Sequence, residues 1–117
     1  MKTVKENVEI LNNMIIQGEI LAAFDRFYDD KVVMQENDNA PTVGKAANRI
    51  NEEQFVNGIM AFREATVKQV IINDDYAVVQ WHFDFDHRDW GTRKYDQLSV
   101  QRWQNGQIVY ERFYYSK

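Results

Sequence analysis

Residues 76–87 read Tyr-Ala-Val-Val-Gln-Trp-His-Phe-Asp-Phe-Asp-His. Ala77, Val79, Trp81, Phe83, Phe85 and His87 fall on one side of this stretch, and Gln80, His82, Asp84 and Asp86 on the other. Successive side chains of a strand point to opposite faces, so this alternation predicts a long strand with one buried, aromatic face. Asn73-Asp74-Asp75 before it and Asp89-Trp90-Gly91-Thr92 after it carry turn residues. Beyond the turns, Val67–Ile72 and Tyr95–Trp103 again read as strands. Gln104-Asn105-Gly106 is a tight hairpin signal, and Ile108–Tyr115 is the last strand. The second half of the chain is therefore expected to be an antiparallel meander.

The first half changes period. Thr3 stands three residues before Glu6, the spacing of a capping box, and Val4, Val8, Leu11 and Ile15 recur at helical intervals up to Gly18. Ile20, Phe24 and Phe27 mark one face of a second helix ending near Asp29-Asp30. Lys31–Gln35 reads as a short strand, and residues 36–41 as a polar loop with the single proline, Pro41. Residues 44–60 read as a broken helix, with Asn51 capping a short piece that carries Phe55 and Ile59. Helices at one end and a meander at the other predict an α+β domain.

At 117 residues the chain has room for one core, so residues 1–117 are read as a single domain. Seven Phe, six Tyr and three Trp supply enough ring surface for a core and a cavity lining. With no cysteine, thiolate chemistry and cysteine-bound zinc are excluded, and a reducing, cytoplasmic setting is expected. The N-terminus has neither the apolar run of a signal peptide nor that of a membrane span. A net charge of −4 with interspersed signs argues against nucleic acid and anionic membranes as partners.

Asp29-Asp30-Lys31-Val32-Val33 leading into the first strand and Asn105-Gly106-Gln107-Ile108-Val109 turning into the last resemble SnoaL-like proteins. These belong to the nuclear-transport-factor-2-like superfamily, together with ketosteroid isomerase. The resemblance covers essentially the whole chain. It implies a cone: a strongly bent antiparallel sheet wrapped around N-terminal helices, with a pocket at the wide end, often in a homodimer paired through the outer sheet face. Members include isomerases, cyclases, hydrolases and dehydratases as well as domains without catalysis, so the fold alone names no reaction. Carried over by counting, the isomerase base falls on Gln35, its tyrosine donor on Leu11 and its second donor near Ser99; the cyclase acid falls on Phe113. None of these can act as the family's proton-transfer group at that place.

Strand alternation, combined with that cone, puts Val109, Glu111, Phe113 and Tyr115 inside. Glu111 is then the candidate catalytic acid or base; the alternative is a structural ion pair with Arg63 or Arg102. Trp81 and Phe83 are expected to line a pocket, with Gln35 and Asn37 from the first strand. Gln97, Ser99 and Gln101 join them if the register at Trp90-Gly91 turns that row inward, and Leu98 and Val100 take their place if it does not. Such a pocket suits an apolar or carbonyl-bearing small molecule, held by neutral amides. His82, Asp84 and Asp86 diverge too far along one strand to share an ion, and the Asp84–Tyr95 stretch fails the calcium-loop spacing, so no metal is assigned. No cofactor is assigned either. Tyr95, Tyr110 and Tyr114 are expected on the outer face as a homodimer surface. The leading expectation is a small-molecule-binding domain; an enzyme using Glu111 and a non-catalytic interaction module are the alternatives.

Overall fold

The capping box forms as its spacing requires. Thr3 N–H donates to Glu6 Oε1 at 2.9 Å and Glu6 N–H donates to Thr3 Oγ1 at 3.1 Å. In the computed structural model, which describes residues 2–116, this cap opens helix α1, Val4–Ile16. Gly18 adopts φ 82°, which turns the chain into α2, Ile20–Phe27. Then follow β1 (Tyr28–Glu36), β2 (Thr42–Val43), α3 (Lys45–Gly58), β3 (Ile59–Asn73), β4 (Tyr76–His87), β5 (Gly91–Gln104) and β6 (Gln107–Tyr114).

The six strands form one sheet in the order β2-β1-β6-β5-β4-β3. β3 to β6 are an antiparallel meander, but β1 runs parallel to β6, so the sheet is mixed rather than antiparallel throughout. The crossover from β1 to the rest of the sheet through α3 produces this arrangement, since strands joined through a helix can lie parallel. Register shifts at Ile59/Ala61, Phe62/Glu64 and Val67/Gln69 break the β3–β4 ladder. Bulges of this kind bend a strand and increase its twist, and they curl the sheet around the helices. α1 packs on β3 and β4, and α3 on β1.

Two expectations change here. α3 is one unbroken helix, with Asn51 in its interior instead of at a cap. Asn48 holds its first turn: the amide Nδ2 donates to the carbonyls of Gly44 at 2.8 Å and Thr42 at 3.0 Å. β3 begins at Ile59 rather than Val67, because its first half packs an irregular, bulged face that hides the period of two. Gly58, where helix passes to strand, lies against His87: a Cβ there would stand 2.2 Å from the imidazole ring.

The core gathers Val8, Leu11, Phe24, Phe27, Val32, Val79, Trp81, Trp103 and Ile108, each at most 3% exposed. The sheet's concave side therefore carries the apolar rows, and β4 presents the face read from its sequence.

Candidate functional site

Four adjacent strands direct side chains to the concave side. From β4 come Val79, Trp81, Phe83 and Phe85, and opposite them on β5 stand Ser99, Gln97, Tyr95 and Arg93. Ser99 faces Phe113 and Gln101 faces Glu111 on β6, while Glu111 in turn pairs with Met34 on β1. The register at Trp90-Gly91 thus turns Ser99 and Gln101 inward, both 2% exposed, and leaves Leu98 42% exposed on the outer face. A register shift between Arg102 and Trp103 opposes Trp103 to Ile108 and leaves Val109 as the extra residue. The core therefore takes Ile108, where alternation alone had placed Val109.

Glu111 is 2% exposed. Its Oε1 accepts a hydrogen bond from the Tyr28 hydroxyl and its Oε2 accepts from Gln101 Nε2 at 2.9 Å. Gln101 Oε1 in turn accepts from Trp103 Nε1 at 3.0 Å, which fixes the amide's orientation. Burial pushes the Glu111 carboxyl up to about 7, against the opposing pull of the two hydrogen bonds. The Tyr28 hydroxyl is raised well above its usual range, first by burial and then by the Glu111 charge. Tyr28 is itself stacked on Phe24, with ring centroids 4.7 Å apart. The ion pair offered as the alternative for Glu111 is not made: Arg63 binds Asp84 and Asp86, and Arg102 binds Asp75.

A second carboxyl was not legible in the sequence. Glu52 on α3 comes within electrostatic reach of Glu111 and Glu36, and no hydrogen bond to it is formed among the described residues. It keeps part of its surface accessible, yet burial is the largest influence on it, followed by the charges of Glu111 and Glu36; together they raise it to about 8. Its signal was hidden because residues 44–60 read as a broken helix, which left the face of Glu52 undefined.

The expected lining residues divide. Trp81 and Phe83 stack with centroids 5.1 Å apart, and Tyr95 lies 5.9 Å from Phe83 and 5.4 Å from Tyr115. With half-buried Phe113 these form an aromatic wall beside Glu111, Ser99 and Gln101. Tyr95 belongs to this wall and not to the outer face, because it opposes Phe83 across the β4–β5 ladder. Burial pushes its hydroxyl up to about 12.

Gln35 does not join the group. Met34 and Val32 are the inward residues of β1, and Gln35 takes the opposite face, donating to the Asn39 carbonyl at 2.9 Å. Asn37 follows β1 with φ 49° and braces the sheet edge, its Oδ1 accepting from Tyr115 N–H at 2.9 Å. The count that puts the isomerase base on Gln35 thus lands on an outward residue, beside the inward Met34. Leu11 is 1% exposed in the core.

On the outer face, His82 Nδ1 lies 2.6 Å from Asp96 Oδ1, and Arg63 bridges Asp84 and Asp86. Among the described residues no group of three or more His, Cys, Asp or Glu side chains is placed to hold a metal ion. An open cavity of about 300 Å³ on this side is lined by Gln80, Asp96, Gln97, Leu98 and Tyr114. No helix among the described residues is long and apolar enough to cross a membrane.

Solved structures share this architecture. A protein named as a SnoaL-like polyketide cyclase from Mesorhizobium loti superposes with a TM-score of 0.86 at 22% identity, over 97% of this chain and 100% of its own. A second protein of that description, from Jannaschia sp. CCS1, gives a TM-score of 0.80 at 12% identity over 99% and 90%. A protein named as an isomerase from Rhodopseudomonas palustris gives 0.78 at 11% identity over 100% and 92%. At these identities the likeness is one of fold. No curated protein matches the sequence. The family model for the SnoaL-like domain matches residues 2–115, and with the cone-like sheet around its helices the chain belongs to the SnoaL-like domain family.

Proposed function

We propose that the concave side of the sheet binds a small, largely apolar molecule and that Glu111 exchanges a proton with it. The single observation that carries this is Glu111 itself: a carboxyl 2% exposed, oriented by Tyr28 and Gln101, with no arginine or lysine paired to it among the described residues. A carboxylate buried for structural reasons is normally compensated by a cation, since desolvating a lone charge costs several kcal/mol. A carboxyl poised near neutrality is instead suited to accept and return a proton at the pH of the cell. Glu52 offers a second group of similar strength. The reaction class supported is an isomerisation, cyclisation or elimination, which needs proton transfer and no cofactor.

The carbonyl-bearing ligand expected from neutral amides loses part of its support. Gln101 spends its amide donor on Glu111, Gln97 spends one of its own on Ser99, and Gln35 lies on the other face. The lining that supports ligand contact is Trp81, Phe83, Tyr95, Ser99, Phe113 and Tyr115. We also take the outer sheet face as the contact of a homodimer, in the cytoplasmic setting that a cysteine-free chain suits. Leu98 and Tyr114, each 42% exposed, and Ile71, 57% exposed, are the apolar surface that supports it.

Native mass spectrometry of freshly purified protein tests the first reading. A small molecule carried through purification by the parent and lost from Glu111→Leu supports it. A parent that carries nothing and gives no shift with any small-molecule library refutes it.

A further inference from the structure

Glu111 on the concave side and Glu52 within its electrostatic reach are carboxyls with no cation paired to them among the described residues. Glu52 has no hydrogen-bond partner among the described residues, and neither it nor Glu111 enters any of the ion pairs formed there. Arg49, the cation nearest in influence to Glu52, is held by Asp25 at 2.7 Å and Glu53 at 2.9 Å. A separate element adds to the imbalance. Asn12 is 6% exposed on the face of α1 that Val8 and Leu11 press into the sheet's concave side, and its Oδ1 is buried with no partner among the described residues. An acceptor left unpaired inside a protein is unfavourable until something donates to it.

The amide and indole donors that would hold a neutral carbonyl ligand in place are already committed. The Tyr28 hydroxyl and the Gln101 amide serve Glu111, and the Trp103 indole serves Gln101. What the site offers a ligand beyond these is two carboxyls without a paired cation and an aromatic wall of Trp81, Phe83 and Tyr95. Ring faces and carboxylates attract the same kind of group: a desolvated organic cation.

We infer that the small molecule of this site carries a protonated amine, seated against the Trp81–Phe83–Tyr95 wall and neutralised by Glu52 and Glu111. This rests on the small-molecule reading of the concave side and names the chemical class of its ligand. The amine supplies N–H donors to Glu52, which lacks them, and a charge to Glu111, whose two hydrogen bonds come from neutral groups. Its charge also replaces the cation that the fold leaves out.

Matched probes separate amine from carbonyl: cyclohexylamine, protonated at neutral pH, against cyclohexanone. Calorimetric titrations in two buffers of different ionisation enthalpy report affinity and the protons exchanged, and amide-resolved NMR reports the place. The expected result is cyclohexylammonium binding about tenfold or more tightly than cyclohexanone. Its binding releases protons, because a cation drives the carboxyls to ionise. The preference should be lost in Glu52→Gln, whose NMR spectrum verifies that the fold is kept. Tighter binding of the ketone, proton uptake on amine binding, or an amine preference that survives both Glu52→Gln and Glu111→Gln overturns the inference while leaving a small-molecule site standing. If neither probe shifts the resonances of Trp81 or Phe83, the amine inference fails together with the site it rests on.

Discussion

Tyr28 and Glu111 stand 83 residues apart in sequence, and the hydroxyl of the first donates to the carboxyl of the second across the β1–β6 pairing. The bond joins the end of the helical half to the end of the meander at a place closed to water. Removing the donor leaves a buried acceptor half satisfied, at a cost of about 1–3 kcal/mol. Tyr28→Phe is expected to lose that stability in urea unfolding and to raise the Glu111 carboxyl further. Carboxyl-carbon NMR titration of Glu111 reads the second effect, and a downward shift would refute it.

Glu111 also sets a pH dependence whose sign is fixed. Its carboxyl rises from 4.5 to about 7 on folding. Between those values the folded chain holds a proton that the unfolded chain has released. Its contribution therefore falls as pH rises through that window and is level above it, a change of roughly 3 kcal/mol in all. Glu111→Gln stays neutral throughout. Relative to the parent it should gain stability from about pH 5 to about pH 8. Urea midpoints at both ends check this, and a parent that gains on the variant over that range would contradict it.

Gly58 is a packing constraint. A methyl group there would stand 2.2 Å from the His87 ring, which is stacked 3.8 Å from Trp90 and hydrogen-bonded to the Phe55 carbonyl at 3.1 Å. Gly58→Ala is expected to cost about 1–3 kcal/mol by overpacking. Most of that penalty should vanish in a His87→Ala background, a coupling that a double-mutant cycle of thermal unfolding measures. An equal penalty in both backgrounds would mean that the ring is not the obstacle.

Ketosteroid isomerisation is expected to be absent. The inward residues of β1 are Val32 and Met34, which cannot take a proton, and Leu11 on α1 cannot donate to an oxyanion. A lost general base alone forfeits about 10²–10⁴-fold in rate. Incubation with a 5-ene-3-keto steroid should give no growth of conjugated-enone absorbance above the uncatalysed drift. Efficient turnover would place the base elsewhere.

Sedimentation tests the outer face. A species of twice the 13.9 kDa chain mass is expected at micromolar concentration. Replacement of the 42%-exposed Leu98 with Glu should convert it to monomer without loss of secondary structure. A monomeric parent refutes the pairing.

The parts of the fold that were legible from sequence are those whose period is regular. β4 runs over the residues its alternation marks, and α1 begins at the cap that Thr3 and Glu6 announce. Irregular pairing hid the rest. Bulges in β3 masked its first half, and one more at Val109 exchanged which neighbour of the last hairpin enters the core. Glu111 could be found because it alternates with Phe113 on a strand. Glu52 and Asn12 could not, since a carboxyl or an amide on a helix reads as a solvated group until the opposing sheet is in place.

The sheet order has a consequence for how the chain completes its fold. β6, the last strand in sequence, lies between β1 and β5 and is the link between two parts of the sheet that otherwise do not pair. Until β6 docks, β1 and β5 each present an open edge to other chains. Completion is therefore a late, long-range event, the kind that slows folding and leaves intermediates exposed to aggregation.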